Sequence, residues 1–300
     1  MLIRVFISAL FAALLGLAAL ELKVLWPLVG ASTHEFELLQ LGQVDLRVHG
    51  KQVHLDGLAV SPSGTIWVAD TGEPGPRIVA LDHDGQLIDT FRGAVGAGIS
   101  ADGEAVLTVD PQAAIVSRIA LGGGATRTWS LDGFHLTAPR GVVRVQADTL
   151  AVAATGTGTV FLFGEDGHAV GILGASPTGV PQLLEPRYPL VDSAGRVYVN
   201  DRNGRVVRWD GQQLDAVFRT RDREAAVLTD PEQSAVDAQG RLWVADTEAG
   251  RVWVFDSSAE FLGQWQPTAA PHPIALAIDG DHIYITDRDH ALLYWFQLDR

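Results

Sequence analysis

Residues 235–246 read AVDAQGRLWVAD, and nearly the same pattern stands at residues 59–70, AVSPSGTIWVAD. In both, a short apolar stretch leads into a turn with Gly, and alternating large and small apolar residues then end in Asp. A third copy, LVDSAGRVYVND, occupies residues 190–201, and a fourth, AIDGDHIYITD at residues 277–287, is one residue shorter in the turn. Self-similarity of this kind predicts a repeat architecture.

Weaker copies end at Asp110 and Ala154, which brings the number of copies to six. The equivalent positions are 70, 110, 154, 201, 246 and 287, separated by 40, 44, 47, 45 and 41 residues. This period predicts an all-β, six-bladed β-propeller of four-stranded blades on residues 35–300. The sixth copy has only three strands, so we expect Glu35–Gly42 to supply its fourth strand and close the ring.

The fifth copy also carries the motif that is most specific to a family. From Pro231 to Asp256 the sequence follows Pro-x-x-x-Ala-Val-Asp-x-x-Gly-x-Leu-Trp-Val-Ala-Asp and continues to Arg-Val-x-Val-Phe-Asp. This pattern resembles the NHL repeat family of six-bladed propellers, and the resemblance extends over residues 35–300. NHL-like propellers overlap in sequence with the gluconolactonase, paraoxonase and strictosidine-synthase groups. The resemblance therefore implies an architecture rather than one activity.

The first thirty residues differ from the rest in composition. Residues 5–20, VFISALFAALLGLAAL, form an apolar run that follows Arg4. A helix of that length rises about 24 Å, somewhat short of a bilayer core, and it reaches further if it continues to Trp26. We predict that residues 1–30 anchor the chain in the inner membrane, with the propeller in the periplasm or outside the cell. The alternative is a cleaved signal segment with Val29 and Ala31 before the cut.

Charge and cysteine content exclude several classes of function. The formal net charge is −14, which disfavours binding to the phosphate backbone of nucleic acids. The absence of cysteine excludes disulfides, cysteine-ligated zinc, iron–sulfur clusters and thiol nucleophiles.

An Asp at the end of the second strand recurs in five of the six copies: Asp70, Asp110, Asp201, Asp246 and Asp287. A feature that is repeated in nearly every blade points to a structural role, because a catalytic site is needed only once. We expect these side chains to accept backbone N–H groups in the turn that follows.

The positions at which the blades differ carry more information about function. Residues that enter the first strand of each blade line the mouth of the central channel, and alignment places six residues there: Asp56, Val95, Arg140, Arg187, Glu232 and Ile274. Arg140 and Arg187 come from neighbouring blades, and two converging guanidinium groups suit a carboxylate or phosphate. We therefore predict a ligand site formed by Asp56, Arg140, Arg187 and Glu232. In the alternative, Arg140–Glu232 or Arg187–Asp56 are mutual salt bridges that plug the channel.

Signals for a metal are weak. His54 and His272 hold equivalent positions in adjacent blades and are the only candidate ligands, together with Asp56. Among the similar families, peptidyl-amidoglycolate lyases use three histidines for zinc, which this chain lacks. Calcium in the gluconolactonase-like enzymes needs acidic or neutral ligands where Arg140 and Arg187 stand, although Asp56 and Glu232 would suit it. We therefore expect no cofactor, with calcium or zinc as the less favoured alternative.

Two functions of different classes follow. The first is a binding or scaffolding module for a protein partner or a small anionic ligand at the channel mouth. The alternative is a hydrolase or lyase of the gluconolactonase or strictosidine-synthase-like type, whose catalytic residues the sequence does not identify. The binding module is favoured because no metal triad or nucleophile arrangement is complete.

Overall fold

The computed structural model describes residues 34–47, 52–93, 96–122, 124–174, 183–220 and 228–298. These residues form 25 strands and two short 3₁₀ turns, Asp132–Phe134 and Thr155–Thr157. The predicted anchor or signal segment at residues 1–30 lies outside the described residues. Within the described ranges, no helix has the length and apolar character needed to cross a membrane.

The strands form six antiparallel sheets arranged as blades, and each blade takes four strands in order from the channel outward. Blade one consists of β3 (Leu55–Val60), β4 (Ile66–Asp70), β5 (Arg77–Leu81) and β6 (Leu87–Arg92). Blade two consists of β7 (Ile99–Asp102), β8 (Ala105–Asp110), β9 (Ile115–Ala120) and β10 (Gly124–Ser130). Blade three consists of β11 (Pro139–Gln146), β12 (Thr149–Ala154), β13 (Thr159–Gly164) and β14 (Ala169–Leu173).

The second half of the ring follows the same plan. Blade four consists of β15 (Pro186–Val191), β16 (Val197–Asp201), β17 (Arg205–Asp210) and β18 (Gln213–Phe218). Blade five consists of β19 (Pro231–Val236), β20 (Leu242–Asp246), β21 (Arg251–Phe255) and β22 (Phe261–Trp265). Blade six consists of β23 (Pro273–Asp279), β24 (His282–Asp287), β25 (Leu292–Gln297) and, from the start of the described chain, β2 (Leu39–Asp45). The predicted six-bladed propeller is confirmed.

The ring closes as the sequence predicts, but a few residues later. β2 pairs antiparallel with β25, so the closing strand is Leu39–Asp45 rather than Glu35–Gly42. The preceding β1 (His34–Glu35) instead extends the sheet of blade five. The reason for the shift is Phe36, whose ring meets Trp243 edge-on at 5.3 Å and whose N–H donates to the Gln264 carbonyl at 2.8 Å. The segment therefore passes along blade five before it joins blade six.

The apolar pattern of the second strands explains how blades pack. β4, β16 and β20 are buried at every residue, because each sheet is covered by neighbouring blades on both faces. Trp67 and Trp243 are completely buried on these strands. Burial of each large apolar side chain contributes on the order of 1.5–3 kcal/mol.

The first strands converge on the channel and touch in ring order, β3, β7, β11, β15, β19, β23 and back to β3. Glycine permits the closest approaches: a Cβ added at Gly57 would lie 2.1 Å from the Ala97 carbonyl oxygen. One added at Gly98 would lie 2.1 Å from the Arg140 carbonyl oxygen. Across the channel, Gln233 of blade five exchanges two hydrogen bonds with the backbone of Leu58 in blade one.

Candidate functional site

The residues predicted to line the channel mouth lie on β-bulges. The ladder between the first and second strands skips Asp56 in blade one, Arg140 in blade three and Ile274 in blade six, and it skips Glu232 with its neighbour in blade five. A bulge leaves its residue out of the ladder and re-aims the side chain. The bulge of blade four follows Arg187. Ile274 is a buried apolar residue, and Val95 lies outside the described residues.

The recurring aspartates accept backbone N–H groups, as the sequence predicts, but several of these donors lie before the first strand rather than in the turn that follows. Oδ1 of Asp70 accepts the N–H of His54 and of Gly72, each at 2.9 Å. Asp201 accepts two N–H groups from residues 184 and 185, and Asp246 accepts three, from residues 229, 230 and 249. These carboxylates join the chain before the first strand to the turn after the second, so they hold the loops that carry the mouth residues.

On the side of blades four to six, the mouth is an ion-pair network. The Arg187 guanidinium pairs with Glu232 and lies 3.5 Å from Asp230 and 3.4 Å from Glu185. Arg187 is 4% exposed and Glu232 is 2% exposed, so this pair is enclosed by protein.

Two outer arginines extend this network, which we call the paired side: Glu185, Arg187, Arg202, Asp230, Glu232, Glu248 and Arg288. Arg202 contacts Asp230 at 3.4 Å, while Arg288 contacts Glu232 at 3.6 Å and Glu248 at 3.3 Å. Arg202 and Arg288 are not among the residues predicted from the sequence, although each directly follows the Asp of its second strand. Glu185 and Asp230 are not among them either, although they stand two residues before the mouth position, as His54 and His272 do.

Neither of the two salt bridges proposed as the alternative is the one that forms. Arg187 pairs with Glu232 instead of Asp56, because blades four and five are neighbours whereas blade one lies opposite blade four. Asp56 accepts a hydrogen bond from the Thr71 hydroxyl of its own blade. Arg140 has no carboxylate within 4 Å among the described residues.

Tyr188, directly after Arg187, is an unexpected member of the mouth. Its φ of 37° lies in the left-handed region that bulky residues rarely adopt, and the side chain is 4% exposed. Burial raises the pKa of the Tyr188 hydroxyl, and the nearby charge of Glu232 raises it further. The sequence carries no signal for this residue beyond its place next to a mouth arginine.

Buried polar atoms without a hydrogen-bond partner concentrate at the mouth. Among the described residues there are six such side-chain atoms, and four belong here: Arg140 Nε, Arg187 Nε, Tyr188 Oη and Glu232 Oε2. Burial raises the pKa of Glu232 and of Asp56, and the neighbouring arginines offset this only in part. A buried polar group without a partner is costly, so a cluster of them makes the mouth a candidate functional site.

On the side of blades one to three, the mouth opens into a cavity of about 560 Å³, which we call the open cavity. Arg140 lines it, together with Thr71, Asp110 and Thr155. Burial opposes the charge of Arg140, but Tyr188, Glu232 and Asp56 outweigh this, so its pKa lies above the ordinary value. The guanidinium therefore stays charged at the edge of a space large enough for a small molecule.

The weak metal candidates are not gathered into a site. Both His54 and His272 are exposed, and Nδ1 of His272 lies 2.7 Å from Asp289. The part of the chain that the structure describes contains no group of three or more His, Asp or Glu side chains that could hold a metal ion.

Comparison with known proteins agrees with this architecture. The NHL repeat model matches residues 229–255, which contain the first three strands of blade five. No curated protein matches.

Solved structures with the same fold are distant in sequence. A catalytically inactive virginiamycin B lyase from Staphylococcus aureus, solved with quinupristin, is 14% identical over 86% of this chain and 99% of its own, with a TM-score of 0.61. BamB from Moraxella catarrhalis is 11% identical over 88% of this chain and 99% of its own, with a TM-score of 0.51. At such identities the likeness concerns the fold alone. The chain is a six-bladed β-propeller whose fifth blade matches the NHL repeat model.

Proposed function

We propose that the propeller is a binding module and that the open cavity holds the carboxylate or phosphate group of a small ligand on Arg140. The observation that carries this proposal is the state of Arg140: it lines the cavity, it is charged, and no described carboxylate lies within 4 Å of it. A buried or half-buried cation is stabilised by an anionic partner, and an arginine suits oxyanions because its donors form a planar fork.

Arg187 has a different role in this proposal. Its guanidinium already faces three carboxylates, so it has little capacity for a further anion. Only one of the two arginines predicted from the sequence is thus assigned to the ligand, and the other holds the mouth together.

The test is titration of the full chain, in mild detergent, with caproate and with inorganic phosphate. Loss of the guanidinium in Arg140→Gln should weaken binding of the favoured anion by about 1.5–3 kcal/mol, the range for a charge-assisted hydrogen bond. Arg202→Gln is the matched control, because it removes the same charge from the other side of the mouth. Equal losses in both variants would mean that the anion responds to overall charge, and the proposal would then fail.

We also propose that residues 1–30 hold this module at the inner membrane, with the propeller on the exported side. The apolar run at residues 5–20 after Arg4 supports this. Protease added to intact spheroplasts should digest the propeller, whereas protection until the cells are lysed would place it in the cytoplasm. A protein partner on the loop face is compatible with this location.

A lyase or hydrolase is the second candidate, favoured by one observation. Tyr188 and Glu232 are enclosed side chains with raised pKa values and unpartnered oxygens, the features of acid–base groups. Elemental analysis separates the candidates: stoichiometric calcium or zinc in the purified protein would favour the enzyme. A metal-free protein of full stability would favour the binding module.

A further inference from the structure

The open cavity carries two charged side chains of opposite sign. Arg140 is the only basic residue and Asp110 the only acidic residue among the described residues that line it. The two do not form an ion pair within 4 Å. Space therefore separates a cation from an anion inside one cavity.

Asp110 differs from its four counterparts in the other blades. Its Oδ1 accepts the N–H of Gln112 at 2.8 Å and of Ala113 at 3.0 Å, but its Oδ2 has no partner among the described residues. In the other blades this second oxygen is occupied: Arg77 binds that of Asp70 at 2.7 Å, and Arg205 binds that of Asp201 at 2.8 Å. Both oxygens of Asp246 and of Asp287 also accept hydrogen bonds.

Of the other polar side chains that line the cavity, the two threonine hydroxyls are engaged as donors, and Gln112 is exposed. The Thr71 hydroxyl donates to Asp56, and the Thr155 hydroxyl donates to the Pro186 carbonyl at 2.8 Å. Most of the other lining is apolar, from three prolines and two alanines: Pro76, Pro111, Pro139, Ala97 and Ala138. Such a lining suits a short hydrocarbon linker between two charged ends.

We propose that the ligand of the open cavity is a small zwitterion, an amino acid whose carboxylate binds Arg140 and whose ammonium group binds the free oxygen of Asp110. This inference rests on the proposed function, because it keeps the contact between the ligand carboxylate and Arg140. It adds a second contact, between the ligand ammonium group and Asp110. It also accounts for the acidic side chain, which would repel a ligand that carries only negative charge.

The test uses ligand pairs that differ only at the second end. β-Alanine, γ-aminobutyrate, δ-aminovalerate and ε-aminocaproate are titrated into the full chain beside propionate, butyrate, valerate and caproate. We expect at least one amino acid to bind about tenfold or more tightly than the carboxylate of equal length, from one added charge-assisted hydrogen bond. The series varies the charge separation, so its optimum measures the gap between the two side chains.

Two variants test which side chain binds which end of the ligand. Asp110→Asn keeps a carbonyl oxygen for the two N–H groups, and it should abolish the advantage of the amino acid. The carboxylates should bind as tightly as before or more tightly, because the repelling charge is gone. Arg140→Gln should weaken both ligands. Asp210→Asn, at the exposed end of β17 in blade four, is the control for loss of one negative charge.

The outcomes distinguish the two proposals. If carboxylates bind through Arg140 and no amino acid binds more tightly, the zwitterion is overturned and the proposed function stands. If neither carboxylates nor amino acids bind in a way that depends on Arg140, both the proposed function and the zwitterion proposal fail. The ligand series on the unmodified protein decides the matter even if a variant fails to fold.

Discussion

The two sides of the channel mouth use the same positions of the repeat in opposite ways. On the paired side, Arg187 is enclosed among carboxylates from blades four and five. On the open side, Arg140 holds the equivalent position and borders a cavity instead. Both residues directly follow the Pro that begins the first strand of their blade, but Arg140 lies in its bulge whereas the bulge of blade four begins after Arg187. The difference shows that a propeller can use one position for stability in one blade and leave it available for a ligand in the next.

Arg187→Ala should have the largest effect, because it removes the enclosed guanidinium that pairs with the buried Glu232 and Asp230. These carboxylates then keep only their contacts to the outer Arg288 and Arg202. We expect the free energy of unfolding to fall by about 3–5 kcal/mol, measured by urea denaturation. Arg140→Ala is the matched change on the open side and should cost about 1 kcal/mol, since it breaks no ion pair. Similar losses for the two variants would remove the distinction between the sides.

Two carboxylates should give opposite pH profiles. Burial raises the pKa of the Asp56 carboxyl in the folded protein. Ionisation of this group therefore destabilises the fold as the pH rises from about 4, its pKa in the unfolded chain, through the folded pKa. Asp56→Asn should therefore gain stability relative to the parent with rising pH, by about 1.4 kcal/mol per unit of raised pKa.

Asp102, away from the mouth, is the contrast for this experiment. Burial alone would raise its pKa, but hydrogen bonds from Arg144 and Arg118 lower it. The ionised Asp102 therefore stabilises the fold above the unfolded pKa of about 4, and this stabilisation is lost as the pH falls through the lower folded pKa. The stability deficit of Asp102→Asn should thus shrink on acidification. Parallel profiles for the two variants, from urea midpoints at several pH values, would contradict the assigned environments.

Tyr188→Phe should stabilise the protein slightly, by about 1 kcal/mol, because the enclosed hydroxyl makes no well-formed hydrogen bond. The nearby Arg140 guanidinium offsets only part of the effect of burial on its pKa. Tyr198→Phe is the control: that hydroxyl donates to Asp192 at 3.0 Å, so its removal should destabilise by a similar amount. Thermal melts of both variants measure the difference. A destabilised Tyr188→Phe would show that the hydroxyl has a partner in solution.

Arg202→Ala should have the smallest effect. Its side chain is 51% exposed, and ion pairs in water contribute little because solvent and salt screen them. We expect a loss of about 0.5 kcal/mol or less, which should vanish in high salt. A loss of stability comparable to that of Arg187→Ala would contradict this prediction, because it would mean that the ion pairs of Arg202 are shielded from solvent like those of Arg187.

The fold could be predicted from the sequence because the same strand pattern occurs six times along the chain. The residue that ends each second strand, an Asp in five of the six blades, also located the mouth residues, since each lies a near-constant distance before it. What the sequence could not show is which charges pair, because pairing depends on the neighbouring blade and on the bulge that aims each side chain. One signal was readable: the third strand begins with Arg77 and Arg205 in blades one and four but with Ile115 in blade two, which leaves Asp110 without a basic neighbour.

The closure of blade six by β2 ties the order of synthesis to the order of assembly. β2 emerges from the ribosome early, yet its partner β25 follows about 250 residues later. Blades one to five can assemble during translation, while β2 waits with an unpaired edge until the final blade is made. Contacts between such distant segments form slowly, so completion of the ring is the step at which this chain most needs protection from aggregation.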